Sequence, residues 1–210
     1  MYETIPDLNL FMVCKVPNQK AYASLPDGFY FDLCKPQELD LWKAFPFENP
    51  TPKYEKMMTD YFANVYESKK DLFFSRCVFV RDQKGTAIAT CFLWKAYNQI
   101  NTLHWLKVKT EYEGKGIGRA LITKLLSQTD TYPIYLHTQP SSYRAIKLYS
   151  DFGFQLITNS GYLGSRTNDL QKCLPILQTY MSKSAMENLK FTSAPAEFVQ
   201  AVQSSNISEF

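Results

Sequence analysis

The chain has 210 residues and a formal net charge of +3; 45% of it is hydrophobic and 15% aromatic. That is enough apolar material for one folded domain with extensions. With a sequence pI near 8.5 and scattered Lys and Arg, it lacks the dense basic patch of a nucleic-acid binder. The five cysteines, Cys14, Cys34, Cys77, Cys91 and Cys173, are odd in number and include no CxxC pair, so they read as reduced, mostly buried thiols rather than a disulfide framework or a zinc site. No stretch approaches the length of a membrane span and residues 1–4 carry no basic leader, which makes the cytoplasm the expected location and a membrane partner unexpected.

In chain order, residues 1–25 read as an N-terminal arm with one strand at 10–15 that could add to a sheet edge, and turn chemistry at Pro17-Asn18 and Pro26-Asp27-Gly28. A strand at 29–34 and a helix opened by Pro36 and stopped at Pro46 follow. Tyr54, Met57, Met58, Tyr61, Phe62 and Val65 then recur at helical spacing; the stripe reads most simply as core, with pocket lining as the alternative. Strands at 77–81 and 86–94, joined by Asp82-Gln83-Lys84-Gly85, should pair antiparallel. A strand at 101–109 runs into a glycine loop and a helix at 116–128 with Leu121, Ile122, Leu125 and Leu126 on one side. The next strand, 133–138, completes a right-handed strand-helix-strand unit with parallel strands. Ser141 or Ser142 can cap the helix that carries Ala145, Leu148, Tyr149 and Phe152, and a strand returns at 154–157. Beyond Gly164, residues 167–181 look helical around Pro175, 195–203 form a short helix capped by Ser193, and the end from Ser204 is expected to fray. The domain at 26–165 thus stands between the arm and a C-terminal helical extension, 166–210.

The chemistry centres on Gly114-Lys115-Gly116-Ile117-Gly118-Arg119. Glycines at that spacing give a tight turn, and at a helix start their N–H groups make an anion site. A Walker loop needs Gly-Lys-Ser/Thr, whereas Gly116 follows Lys115 here, and a dinucleotide loop should follow the first strand of a parallel sheet. On the loop alone, phosphate binding and a purely structural strand-to-helix turn stand level.

Context separates them. Val108-x-Thr110-x-x-Glu113-x-x-Gly116-x-Gly118, followed by Ala145-Ile146-Lys147-Leu148-Tyr149-x-x-x-Gly153-Phe154, resembles the two signature segments of the GNAT superfamily of N-acetyltransferases, over 29–157. The resemblance implies an α/β (α+β) fold: a mixed, mostly antiparallel sheet, helices on both faces and a splayed parallel strand pair. It implies acetyl-CoA or another short acyl-CoA as co-substrate in that wedge, with no metal. Pantetheine would pair with the backbone of Leu106, Lys107 and Val108, and pyrophosphate would rest on Glu113, Gly114, Lys115, Gly116, Ile117, Gly118 and Arg119, with Ser142 and Ala145 also at the cofactor. Three positions depart from the pattern: Glu113 replaces Arg or Gln, Thr110 replaces Pro, and Ser142 replaces Asn.

Read alone, Tyr149 is a core aromatic; the resemblance implies that its phenol is the general acid for the thiolate. His104 lies four residues before Val108, where serotonin N-acetyltransferase-like members carry a histidine, and regular alternation puts it on the face of Leu106 and Val108. It stands equally as base and as a histidine satisfied by a neighbour. Glu111 is a weaker base candidate, His137 reads as structural, and Asp60 or Glu67 could attract a cationic acceptor. The resulting expectation is an N-acyltransferase that moves acetyl from acetyl-CoA to an unidentified primary amine by direct transfer. A non-catalytic acetyl-CoA-binding or interaction module of the same fold is the alternative, and the C-terminal helices leave a homodimer open.

Overall fold

The computed structural model describes residues 5–205 and 207–210. Among these the element order is β1 (Leu10–Cys14), β2 (Phe29–Leu33), α1 (Leu39–Ala44), α2 (Pro52–Val65), α3 (Lys70–Arg76), β3 (Val78–Asp82), β4 (Ala87–Ala96), β5 (Ile100–Val108), α4 (Ile117–Ser127), β6 (Ile134–Thr138), α5 (Tyr143–Asp151), β7 (Gln155–Ile157), β8 (Gly161–Leu163), β9 (Arg166–Asn168), α6 (Leu170–Tyr180), α7 (Lys183–Glu187), β10 (Phe191–Thr192) and α8 (Ala196–Gln203). Strand pairing is mixed and mostly antiparallel, with β5 and β6 parallel and β7 and β10 parallel. The chain divides into two compact units.

One unit, residues 22–94 and 103–129, carries the glycine loop. Its strands run in the order β2, β3, β4 and the later part of β5. Phe29 to Leu33 of β2 oppose Asp82 to Val78 of β3, and β3 pairs antiparallel with β4 across a bulge between Val80 and Arg81. The β3–β4 turn closes because Gly85 takes φ +83 and returns its N–H to the Asp82 carbonyl, while Asp82 Oδ1 accepts the N–H groups of Lys84 and Thr86. Pro52 at the first turn and the Thr51 hydroxyl, which accepts from Tyr54 N–H, start α2. That helix buries Met58, Phe62 and Val65, one face at i, i+4 and i+7, and leaves Tyr54 and Met57 exposed. The stripe seen in the sequence is therefore core on one side only. The core it joins is aromatic: Trp42 lies edge-on to Phe73 at 4.8 Å and near Phe62, Tyr66 and Phe92.

The other unit, residues 1–21, 95–102 and 130–210, orders its strands β10, β7, β1, β6 and the start of β5. The expected edge position for the first strand gives way to an inner one. β1 pairs antiparallel with β6, from Leu10 opposite Thr138 to Cys14 opposite Ile134, and with β7 through Met12 and Val13. All five of its residues are apolar and buried, which suits a strand covered on both faces and paired on both edges. Asn101 and Thr102 of β5 lie parallel to Ile134 and Tyr135 of β6.

Several local expectations change in this unit. Ser142 stands at the N-cap of α5 but makes no side-chain cap bond; with Ser141 it lies in a 3-10 turn, in which its N–H bonds the Gln139 carbonyl. Pro175 sits inside α6 rather than at its start, and α8 opens after Pro195 with no side-chain cap from Ser193. The end is docked: Phe210 is 9% exposed and packs on Phe11, Phe198 and Tyr97. Glu209 accepts from Tyr97 N–H and donates its own N–H to the Tyr97 hydroxyl oxygen. All five cysteines are buried free thiols, and among the described residues no helix is long and apolar enough to cross a membrane.

Candidate functional site

The glycine loop begins where β5 ends. Lys109 N–H bonds the Ile88 carbonyl on β4, a 3-10 turn at Thr110–Tyr112 follows, and Glu113 is extended and exposed. Gly114 and Gly116 then take φ +75 and +81, a backbone region that L side chains avoid. Gly116 is the N-cap of α4 and offers no side chain; the first bond within the helix is Ala120 N–H to the Gly116 carbonyl at 3.0 Å. The N–H groups of Gly116, Ile117 and Gly118 therefore precede the helical ladder at an end that no side chain caps. Such an end carries partial positive charge and suits an anion.

Four contacts brace the loop. Tyr112 donates its hydroxyl to Asp82 Oδ2 at 3.2 Å and meets Phe29 edge-on, while Lys115 Nζ lies 4.9 Å from the Tyr112 ring centroid. Thr110 donates its hydroxyl to Glu48 Oε1, which ties the proline-rich stretch before α2 to the same loop. Of the departures from the family pattern, Thr110 thus gains a partner and Glu113 stands on the exposed side. Among the cofactor candidates upstream, Leu106, Lys107 and Val108 are all half-buried on β5, while Arg119 is half-buried on the first turn of α4.

His104 occupies a setting unlike that expected of a base. It is 3% exposed, and the Tyr66 hydroxyl sits 2.5 Å from its Nδ1. Trp105 Nε1 donates to that same hydroxyl oxygen at 3.2 Å, so the imidazole and the indole share one hydroxyl. Burial pushes the His104 pKa down to about 3, because a desolvated imidazolium is disfavoured. Burial thus favours the neutral ring near pH 7. The assumed alternation fails as well: Trp105 takes φ +54 within β5, and a left-handed residue inside a strand breaks the regular facing of His104, Leu106 and Val108. The signal that sequence reasoning lacked is Tyr66, which lies 38 positions away.

In the other unit, Tyr149 lies on α5, 6% exposed, with its ring centroid 5.7 Å from that of Phe154. Phe152 of the same stripe is buried, as is Ile146, while Ala145 and Leu148 are half-buried and Ser142 is exposed. His137 bonds Asn9 Oδ1 at 2.8 Å and lies against Phe11; burial and then the Arg166 charge bring it down to about 3. Asp60 pairs with Lys56 at 2.7 Å and Glu67 with Lys70 at 3.6 Å, each within one helical turn on an exposed face, so both act as solvated helix charges. Among the described residues no group of three or more His, Cys, Asp or Glu side chains is placed to hold a metal ion.

No curated protein matches the chain. Among solved structures, the tandem GNAT protein from the clavulanic acid biosynthesis pathway is 10% identical with a TM-score of 0.52, the match covering 70% of this chain and 50% of that one. A functionally unknown conserved protein from Staphylococcus epidermidis is 11% identical with a TM-score of 0.50, covering 71% and 57%. An acetyltransferase of the GNAT family from Colwellia psychrerythraea is 20% identical with a TM-score of 0.48, covering 73% and 54%. The first two likenesses show the fold alone, and this chain spans about half the length of each of these proteins. The family model for acetyltransferases of the GNAT family, in contrast, matches residues 38–154, more than half of the 210 positions. That stretch holds both the glycine loop and Tyr149 and leaves the two ends outside, and the chain belongs to the acetyltransferase (GNAT) family.

Proposed function

We propose that this chain transfers an acyl group, acetyl from acetyl-CoA, directly to a primary amine within a ternary complex. The observation that carries the proposal is the uncapped start of α4, where Gly116 in a left-handed conformation opens a row of N–H groups suited to a pyrophosphate. In this reading the backbone from Glu113 to Arg119 holds the pyrophosphate and that of Leu106, Lys107 and Val108 the pantetheine. Ser142 and Ala145 are further cofactor contacts. The amine nitrogen forms a C–N bond to the thioester carbon as the C–S bond breaks, and the departing thiolate takes a proton from the Tyr149 phenol. The amine's own proton passes to water, and solvent returns a proton to the Tyr149 phenolate, which restores the acid. A short acyl-CoA other than acetyl-CoA would use the same machinery.

Calorimetric titration with acetyl-CoA, followed by release of CoA thiol across a panel of aryl, alkyl and peptidyl amines, tests the proposal. Saturable binding with thiol release that depends on at least one amine is the expected result. No acetyl-CoA binding would overturn it, and binding without thiol release for any amine would replace it with a cofactor-binding module.

A further inference from the structure

The most unusual backbone in the glycine-loop unit is at Trp105. A bulky aromatic residue at φ +54 inside a strand is a true conformational outlier, strained backbone that persists only where its surroundings hold it there. It lies directly before Leu106, Lys107 and Val108. What holds it is visible: its indole N–H donates to the Tyr66 hydroxyl oxygen at 3.2 Å, and that hydroxyl bonds His104 Nδ1 at 2.5 Å. One oxygen therefore grips the side chains of both residues at the irregularity. Tyr66 itself is 0% exposed. Its ring is fixed by Phe73 at 5.0 Å, Trp94 at 4.9 Å and Phe92 at 5.6 Å, and the Trp105 indole lies edge-on to Trp42 and Tyr61. A rigid aromatic cage thus positions the hydroxyl, and the hydroxyl positions the strand.

We propose that Tyr66 is a positioning residue whose hydroxyl, by gripping Trp105 and His104, keeps β5 in the left-handed step that sets how the backbone of Leu106, Lys107 and Val108 is presented to the cofactor. The use made of that backbone rests on the acetyl-CoA reading above; the grip itself does not. It also gives His104 a purpose that needs no titration: its Nδ1 is a second hydrogen-bond partner that holds the hydroxyl in place beside the indole N–H.

Glycine supplies the decisive test because it adopts positive φ unaided. Tyr66→Phe and Trp105→Phe, each of which removes one end of the indole-to-hydroxyl bond, should weaken acetyl-CoA binding five- to tenfold by calorimetry, about what one buried hydrogen bond is worth. Both should also speed amide hydrogen exchange at Leu106, Lys107 and Val108 in the cofactor-free chain. In a Trp105→Gly background, adding Tyr66→Phe should change both readouts less than twofold. Equal effects of Tyr66→Phe in the two backgrounds, or none in either, overturn the proposal. Should Tyr66→Phe fail to fold, Trp105→Phe alone decides, and unchanged exchange in that variant overturns it. If the wild-type chain fails to bind acetyl-CoA, the functional reading falls, while hydrogen exchange still tests the grip.

Discussion

Tyr112 donates its hydroxyl to Asp82 Oδ2 across 3.2 Å, so the residue just before the glycine loop is fastened to the carboxylate whose other oxygen closes the β3–β4 turn. Burial alone would raise the Asp82 pKa, but the bonds from Thr86 N–H, Tyr112 and Lys84 N–H outweigh it and hold the carboxyl below its ordinary range. The turn and the loop therefore share one charged acceptor. Tyr112→Phe should weaken acetyl-CoA binding about threefold through a looser loop, with kcat unchanged, and Asp82→Asn should do the same. A titration showing wild-type affinity in both variants would mean that the fastening plays no part in binding.

Arg81 offers a test of what holds the glycine-loop unit together. It is 5% exposed and donates to both oxygens of Glu38 at 2.7 and 2.9 Å, to Asp32 at 2.7 Å and to the Gly85 carbonyl at 3.1 Å. Burial would raise the two carboxyls, yet hydrogen bonds from Arg81 hold both below their usual values. Arg81→Ala strands these carboxylates and should cost about 3 kcal/mol in urea denaturation at pH 7. Depressed carboxyl pKa values contribute stability that is complete above about pH 5, beyond the ordinary values of both groups, and is lost as pH falls through the folded values. The gap between variant and wild type should accordingly narrow by pH 3; a constant gap would show that packing, not charge, sets the cost.

For His104 the sign runs the same way for a different reason. Its folded pKa of about 3 lies below the ordinary 6.5, so between those values the unfolded chain binds a proton that the folded one refuses. Stability is complete above pH 6.5 and declines as the pH drops toward 3; His137, also near 3, adds to the decline. His104→Gln keeps an acceptor for Tyr66 without that liability. Its melting temperature should fall less than the wild type's between pH 7 and pH 5, while the acidic limb of kcat/KM stays in place. A limb that moves in this variant would restore His104 as a proton carrier.

Much of this organisation is legible in the sequence because it is local. Periodicity in α4, turn glycine at 85 and the strand-helix-strand order all follow from neighbours a few residues apart. The glycine spacing also marks the loop. What escapes is set by distant partners. Nothing near Trp105 in the sequence requires a left-handed strand residue, and its partners Tyr66, Tyr61 and Trp42 lie on distant segments. β1 reads as an edge strand because its two partners, β6 and β7, lie over a hundred residues away. The hairpin of β8 and β9 escapes because three residues per strand are too few to show alternation. The polar end at 204–210 looks frayed until the Glu209–Tyr97 and Phe210–Phe198 contacts are seen.

The proposed role of Tyr149 as the acid can be tested apart from cofactor binding. Its ring packs beside Phe154, and a phenylalanine keeps that packing while losing the hydroxyl. Tyr149→Phe should lower kcat about 100-fold, the usual worth of a positioned acid, with less than a twofold change in calorimetric acetyl-CoA affinity. Full turnover would remove Tyr149 from the mechanism.

Gly116→Asp tests the loop most directly, because at a helix N-cap the new carboxylate accepts the N–H groups that a phosphate would otherwise use. The left-handed φ of +81 is one that Asp tolerates better than most residues, and the nearest atom to an added Cβ is Pro26 Cγ at 3.9 Å, so the fold has room for it. Helix α4 should therefore persist, with a melting temperature within a few degrees of wild type, roughly the effect of 1 kcal/mol, while the site now carries a fixed negative charge. Acetyl-CoA binding should weaken at least tenfold. Acetyl-pantetheine, which has the thioester but no pyrophosphate, should react equally with variant and wild type. Gly114→Ala serves as the contrast: no atom lies within 4 Å of its added Cβ, so it strains the backbone without placing a charge and should weaken acetyl-CoA binding less. If Gly116→Asp binds acetyl-CoA as the wild type does, the pyrophosphate rests elsewhere.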